Sequence, residues 1–196
     1  MKITWKDEDT DLVWPLTFEK KVGIFYHQAL GWQLHIADLI SNGGEEFGSG
    51  RKVASVDHSG FAVLQICLSY LETIGKHQGV KRRDGKNFRA GTLEVFPELE
   101  KVPASAQEGL LDALYFGARC GLYHNSRTSR GVGLGQPQNG EAIVYDDQTQ
   151  TLVINPHLLP RALKGHLELH WAKLLDPKNV LPRQHFADWF DESFGH

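Results

Sequence analysis

Two side chains capable of acid–base and phosphate chemistry, Arg119 and His124, lie close together in an otherwise apolar stretch. Histidine titrates near neutral pH and can transfer protons, whereas arginine stays charged and binds phosphate through paired N–H groups. An unpaired guanidinium is costly to bury, so Arg119 needs a partner or a function. Five positions of an α-helix separate two side chains by ~140°, so the pair converges only where the helix ends or distorts, as Gly121 permits.

Basic residues elsewhere offer contacts to a phosphate backbone. One run, opposed only by Asp84, contains Lys76, Lys81, Arg82, Arg83, Lys86 and Arg89. A second set follows His124 directly and contains Asn125, Arg127 and Arg130. Because clustered cations attract nucleic acid, the candidate RNA-binding residues are Asn125, Arg127, Arg130, Arg82 and Arg83. The alternative for the first run is an ordinary solvated loop.

Two further patterns are poor candidates for a cofactor site. His166 and His170 are four positions apart on one face of a predicted helix, a spacing that can bind a metal ion, but the sequence suggests no third ligand. We expect this pair to pack or to hydrogen-bond locally. The glycine-rich segment 131–135 follows a helix rather than a strand and lacks the lysine of a phosphate-binding loop. The sequence therefore predicts neither a metal nor a cofactor.

Helical periodicity provides the frame that positions these residues. Apolar side chains recur at spacings of three and four, which predicts helices over about 17–41, 57–75, 105–124 and 156–175. The second of these is apolar around much of its surface and should lie centrally. Ser105 and Glu108 have capping-box spacing at the start of the third. Residues 76–103 are interpreted as a long irregular link, and a flexible connection is expected up to about Lys52.

The last third of the chain combines two short apolar segments with two helical ones. Residues 142–145 and 151–154 flank a polar turn and predict a β-hairpin. Asn155 should cap the helix that Pro156 begins, and the aromatic residues of 182–196 predict a short docking helix. Together these elements indicate an all-α fold in a single domain, 1–196, with four to five bundled helices and a small inserted β-hairpin.

The segment Arg119-Cys120-Gly121-Leu122-Tyr123-His124 resembles the HEPN superfamily, whose mark is Arg followed by four to six residues and then His. A bacterial group of HEPN-like proteins is similar over a longer stretch, in which this segment leads into a short hairpin, an Asn-Pro turn and another helix. Here those parts are residues 142–154 and Asn155-Pro156. The resemblance covers about residues 12–175, with residues 182–196 as the docking helix beyond it.

This resemblance implies an up-and-down helical bundle and metal-independent cleavage of RNA, with two copies of the motif meeting in a homodimer. His124 would transfer protons and Arg119 would hold the scissile phosphate, leaving a 2′,3′-cyclic phosphate. The setting it implies is a toxin, antiphage or stress protein, with an antitoxin or other protein as a further partner.

One position departs from the family's pattern, because Cys120 follows the arginine where active members often carry a polar residue. Asn125, Ser126 or Arg127 could supply the missing contact. The competing interpretation is a non-catalytic interaction or nucleotide-binding domain in which Arg119 and His124 are structural. Two side chains in an open cleft on a two-fold interface would favour the enzyme, whereas burial and pairing within one subunit would favour the interaction domain.

Composition sets the remaining limits. The 196 residues are 41% hydrophobic and 23% charged, which is ordinary for a globular protein and unlike a disordered one. A net charge of −3 argues against general attraction to nucleic acid but not against a local patch. Cys67 and Cys120 lie in apolar helical patterns, which predicts buried free thiols. Without an apolar leader or a membrane-length segment, we expect a cytoplasmic protein with no membrane contact.

Overall fold

A long helical run opens the computed structural model, which describes residues 14–79, 84–137, 140–146 and 148–194. Helix α1 (Phe18–Ala29) begins at Thr17, whose side chain accepts a hydrogen bond from the Lys20 backbone N–H. A π-helical turn over Leu30–Leu34 joins it to α2 (His35–Asn42), which ends at Gly43 with φ of 67°. The helix predicted over 17–41 is therefore confirmed.

Helix α3 (Gly60–Lys76) lies at the centre of the fold. It packs against α2 and the Leu30–Leu34 turn, and seven of its side chains are almost fully buried: Val63, Leu64, Cys67, Leu68, Tyr70, Leu71 and Ile74. The connection before it contains two short antiparallel strands, β1 (Gly44–Glu45) and β2 (Lys52–Val53), where a flexible segment was expected. The buried free thiol predicted for Cys67 is confirmed, whereas Cys120 is free and half-buried.

The prediction of an irregular link over 76–103 is wrong. Residues Asp84–Val95 form helix α4, and a 3₁₀ turn covers Pro97–Lys101. Helix α4 packs along α3 at very short range, because a Cβ atom added to Gly91 would lie 1.8 Å from the Leu71 carbonyl oxygen. Glycine lowers helix propensity, which hid the helix from sequence reasoning, but here it permits two backbones to touch.

The third predicted helix is present but distorted. It comprises α5 (Ala104–Asp112), a π-helical segment over Ala113–Cys120 and α6 (Gly121–Asn125), and it ends at Ser126 with φ of 56°. Helix α5 begins after Pro103 and has no side-chain cap, so the expected capping box at Ser105 and Glu108 does not form. The π-helical segment and α6 both pack against α3.

A three-stranded sheet follows, where only two strands were expected. Strands β4 (Ile143–Asp146) and β5 (Thr151–Ile154) pair antiparallel, and β3 (Val132–Leu134) pairs parallel with β5. Strand β3 lies in the glycine-rich segment 131–135, where the sequence predicted no strand. Its Val132 packs beside Gly117, so the sheet is joined to the π-helical segment.

The last two helices complete the core. Helix α7 (Leu159–Leu175) packs against α1, α2 and α3, and Asn155 accepts a hydrogen bond from the His157 N–H in the turn before it. Helix α8 (Val180–Phe194) packs on α1 and α7 and buries Phe186 and Phe190 completely, in the place where a docking helix was predicted. The fold is mainly helical, and none of the described helices is both long and apolar enough to cross a membrane.

Candidate functional site

Arg119 is directed at helix α3 and paired there. Its Nη2 atom donates a hydrogen bond of 2.6 Å to Oε2 of Glu72, while Nζ of Lys76 lies 2.8 Å from Oε1 of the same carboxylate. Only 21% of the Arg119 side chain and 11% of the Glu72 side chain are exposed. The guanidinium is therefore held by a carboxylate of the same chain, and this pairing was not predicted from the sequence.

Two aromatic rings enclose the same guanidinium. Its Cζ atom lies 5.7 Å from the ring centroid of Tyr115 and 5.0 Å from that of Tyr123, distances at which a cation is attracted to a ring face. Burial alone disfavours the charge on Arg119, but the Glu72 carboxylate outweighs burial and raises the pKa of the guanidinium above its ordinary value. Arg119 thus remains charged and is paired with the Glu72 carboxylate and the two tyrosine rings.

His124 occupies a different environment. Its side chain is exposed, and within residues 14–79, 84–137, 140–146 and 148–194 nothing forms a hydrogen bond or an ion pair with its ring. The π-helical distortion includes Arg119 and ends at Cys120, and helix α6 keeps α-helical backbone from Gly121 to Asn125. Arg119 is directed at Glu72 of α3, whereas the His124 side chain is exposed. The two side chains therefore have different partners and different environments within the chain.

Two glycines shape the segment that follows. The backbone N–H of Ser129 donates to the Gly117 carbonyl at 2.9 Å, and that of Arg127 donates to the Gly121 carbonyl at 3.4 Å. A Cβ atom on Gly121 would lie 2.7 Å from the Arg127 carbonyl oxygen. The chain can thus turn back along its own helix only because these positions lack side chains. Of the predicted RNA-binding residues, this return leaves three exposed beside His124, namely Asn125, Arg127 and Arg130.

The other predicted basic run is only partly described by the structure. Lys81, Arg82 and Arg83 lie outside the described residues. Lys86 is exposed on α4, and Arg89 on the same helix forms an ion pair with Asp112 of α5. The described part of this run is helical, and two of its cations, Lys76 and Arg89, have acidic partners.

A second polar cluster lies between helices α3, α4 and α7. One possible ligand atom from each of Glu94, His166 and His170 lies within 4.8 Å of the other two. His77 Nδ1 is 3.1 Å from His170 Nε2, and the Tyr70 hydroxyl oxygen is 2.9 Å from His166 Nδ1. The His77 and His170 rings stack with centroids 5.3 Å apart, as do those of His166 and His170 at 5.7 Å.

The charges of this cluster are set by burial and by neighbouring residues. Burial, together with His170, lowers the pKa of His166 to about 4, and burial lowers that of His77 well below its ordinary value. Burial raises the pKa of the Glu94 carboxyl, but the adjacent His170 imidazole, a hydrogen bond from Gln78 and the charge of Lys173 outweigh this and lower it to about 2. At neutral pH His77 and His166 are thus neutral and Glu94 is ionised.

An open pocket of about 540 Å³ reaches this second cluster and is lined by residues that include His77, Glu94, His170, Lys173 and His185. Another pocket of about 520 Å³ lies at the start of α3, next to Ser41, His58 and His157, and none of the described candidate catalytic or RNA-binding residues lines it. The described candidate residues therefore lie outside this pocket, and the histidine cluster forms a separate group.

Comparison of the chain with protein-family models, curated proteins and solved structures finds no match.

Sequence reasoning identified His166 and His170 but missed the residues that complete their cluster. Glu94 lies on α4, which was interpreted as irregular chain, so its place on a helix face was not considered. His77 and Tyr70 lie at the end and on the buried face of α3. The repeat of Tyr70 and His77 seven positions apart, two helical turns, was a usable signal, since both face the same side.

Proposed function

We propose that this chain is a HEPN-like helical domain that binds single-stranded RNA, without cleaving it, through a surface at the end of α6. This α6 surface consists of Phe116, Tyr123, His124, Arg127 and Arg130. The observation that carries the proposal is the Arg119–Glu72 ion pair, because a guanidinium already paired within its own subunit is a structural group. The five side chains of the α6 surface, by contrast, are exposed and accessible to a ligand.

Charge and aromatic exposure favour RNA as the ligand. The sequence has no acidic residue between Asp112 and Glu141, a stretch that contains Arg119, Arg127 and Arg130. Two aromatic side chains stand exposed in the same stretch, Phe116 at 59% and Tyr123 at 46%. Exposed rings beside cations are the usual means of stacking unpaired bases while holding the phosphate backbone, with each stacked base contributing about 1–3 kcal/mol.

The binding experiment measures the anisotropy of a labelled, mixed-sequence RNA 20-mer titrated with the full chain at several salt concentrations. Arg127→Ala and Arg130→Ala should each weaken binding and reduce the slope of log K against log salt by about 1 for each phosphate that the variant no longer neutralises. Arg51→Ala is the matched control, since Arg51 is an exposed cation on the β1–β2 connection, paired with Glu46. An equal effect of Arg51→Ala, or an absence of binding by the wild type, would contradict the proposal.

Tyr123→Ala tests the stacking component separately from charge. The variant should weaken binding of the RNA 20-mer without changing the salt slope, because a ring contributes no counterion release. Tyr145, a half-buried tyrosine of β4 whose hydroxyl donates a hydrogen bond to Gln150, offers a control in Tyr145→Phe. A smaller salt slope in Tyr123→Ala would show that the ring positions a phosphate-binding cation, and would contradict the stacking role.

A second candidate is the metal-independent endoribonuclease, and the exposed imidazole of His124 favours it. This activity requires a homodimer in which the partner copy brings the missing positive charge to His124, since the chain's own Arg119 is directed elsewhere. A toxin or antiphage role, with an antitoxin partner that covers the α6 surface, would belong to this candidate.

Incubation of the chain with the same RNA in EDTA separates the two candidates. Under the binding proposal the RNA stays intact. Under the second candidate the wild type leaves 2′,3′-cyclic phosphate ends, and His124→Ala lowers the rate by about 10²–10⁴ because a proton-transfer group is removed. Unchanged cleavage in His124→Ala would assign the activity to a contaminant and exclude a catalytic use of this residue.

A further inference from the structure

The histidine cluster between α3, α4 and α7 contains buried nitrogen atoms without hydrogen-bond partners. His170 Nδ1 and His77 Nε2 are both buried, and no described residue forms a hydrogen bond with either. Buried polar atoms are nearly always satisfied, so the orphaned His170 Nδ1 beside the Glu94 carboxylate indicates a missing ligand. Only 4% of the His170 side chain is exposed, and the adjoining pocket is the route by which a ligand reaches it.

The spacing of the cluster suits a metal ion better than a hydrogen bond. His170 Nδ1 lies 3.7 Å from Glu94 Oε1, beyond the usual hydrogen-bond length of ~2.7–3.2 Å. Two ligands bound tetrahedrally at ~2.0–2.1 Å from a zinc ion lie ~3.4 Å from each other. One nitrogen of His166 completes a set of three ligand atoms within 4.8 Å, which small side-chain rotations bring into coordination range.

One nitrogen of each ring has a partner of the kind that orients metal-binding histidines. His170 Nε2 is 3.1 Å from His77 Nδ1, and His166 Nδ1 is 2.9 Å from the Tyr70 hydroxyl oxygen. In metal sites such contacts fix the ring orientation and the tautomer. His77 is in turn held by Phe25, with centroids 4.8 Å apart, and by Trp189 at 4.2 Å.

We propose that Glu94, His166 and His170 bind one divalent transition-metal cation, of which zinc fits the ligand set best. Two imidazoles and a carboxylate form the three-ligand arrangement that leaves a fourth position open for water or a substrate. The pocket beside Glu94 and His170 gives that position access to solvent. Magnesium and calcium prefer oxygen ligands and should not bind.

The Lys173 ammonium group must move away from Glu94 when a metal ion binds there. Its Nζ lies 3.3 Å from Glu94 Oε1, and 47% of its side chain is exposed, so the ammonium can move into solvent when the metal arrives. Gln78 continues to donate to Glu94 Oε2 at 2.9 Å and holds the carboxylate in place. Lys173→Met should therefore bind zinc more tightly than the wild type.

The test uses the full chain after treatment with a chelator. Isothermal titration with zinc chloride should give one ion per chain, and cobalt(II) should give the visible absorption of a tetrahedral site without the thiolate bands that Cys67 or Cys120 would produce. Magnesium chloride should give neither signal. The absence of stoichiometric binding by the wild type, or thiolate bands in the cobalt spectrum, would overturn the proposal.

Variants assign the binding to the cluster. His166→Gln and Glu94→Gln should each lower zinc affinity by at least about 10-fold, since each removes a ligand. His58→Asn, which changes an exposed histidine in the other pocket, should bind as the wild type does. Glu94→Gln preserves the shape of the side chain and decides the matter if His166→Gln fails to fold. Unaltered affinity in a folded Glu94→Gln would exclude this site, whatever the outcome for RNA at the α6 surface.

Discussion

The carboxylate of Glu72 on α3 accepts a 2.6 Å hydrogen bond from Arg119, the residue whose type and position in the sequence predict a phosphate ligand. Glu72 also holds Lys76, one helical turn further along α3. One acidic side chain thus neutralises part of the charge on two basic ones and ties the π-helical segment to the central helix. Under the binding proposal, Arg119 belongs to the framework of the fold and the exposed residues beyond it contact the RNA.

Replacement of Arg119 should cost stability in proportion to this pairing. We expect Arg119→Ala to lower the free energy of unfolding by about 2 kcal/mol, because it leaves a mostly buried carboxylate with one partner fewer and removes two ring contacts. That change corresponds to a fall of roughly 4–8 °C in the thermal midpoint for a chain of this size. Differential scanning calorimetry measures it.

Arg127→Ala is the matched control for that experiment, since Arg127 is exposed and its side chain has no acidic partner among the described residues. Its effect should stay within about 0.5 kcal/mol. Equal midpoints for the two variants would mean that the Arg119–Glu72 pair contributes nothing to stability, and would make Arg119 a candidate catalytic group once more.

Replacement of two helical glycines by alanine should change the stability of the protein in opposite directions. Gly91→Ala should destabilise the protein by about 3 kcal/mol or more, because the added methyl group meets the Leu71 backbone and forces α3 and α4 apart. Gly165→Ala, on the open face of α7, meets nothing within 4 Å and should stabilise by about 0.5–1 kcal/mol through helix propensity. Chemical denaturation with urea compares the two variants, and destabilisation by Gly165→Ala would contradict the open surroundings of that position.

The helices were predictable wherever apolar spacing and good helix formers agreed. The run over 17–41, the central helix and the helix ending near His124 all satisfy both conditions, and all are present. Helix α4 satisfies neither, because its sequence Asp84–Val95 contains two glycines and few apolar residues. Its stability comes from close packing on α3, a long-range effect that no local window of sequence contains.

The candidate sites, like the helices, were predictable only where the information lies within one local segment of the sequence. The sequence indicated that Arg119, a charged residue in an apolar stretch, needs a partner or a function. It could not identify that partner as Glu72, which lies 47 positions earlier in the chain. It singled out His166 and His170 because they share one helix, and it missed Glu94 because the helix that presents Glu94 was not predicted. Pairs within one element are visible in a sequence, whereas clusters built from three elements need the fold.

The return of the chain after α6 gives a third prediction. Gly121→Ala would place a methyl group against the Arg127 carbonyl, so residues 126–132 should detach from the helix at a cost of about 1–3 kcal/mol. Amide hydrogen exchange should accelerate in this segment and leave α3 protected. Gly133→Ala is the control, because nothing lies within 4 Å of its added carbon. Unchanged exchange in Gly121→Ala would show that the segment is not held by this contact.

The histidine cluster makes stability depend on pH in a defined window. His166 has a pKa of about 4 in the folded chain against an ordinary value of 6.5, so between these values the unfolded chain binds more protons. The contribution of His166 to the free energy of unfolding should therefore be complete above pH 6.5. This contribution should be lost as the pH drops towards 4, and the loss should be about 3 kcal/mol at most. His77, shifted in the same direction by burial, adds to the slope.

Three groups that face His166 also affect its pKa in this pH range. His170 and Lys173 disfavour protonation of the His166 imidazole, whereas Glu94 favours it. Urea denaturation in EDTA at pH values from 4 to 8 measures the profile without bound metal. His166→Gln should flatten the part of the slope that His166 causes, whereas His58→Asn should reproduce the wild-type profile. A slope that survives unchanged in His166→Gln would assign the acid lability to His77 or to groups outside the cluster.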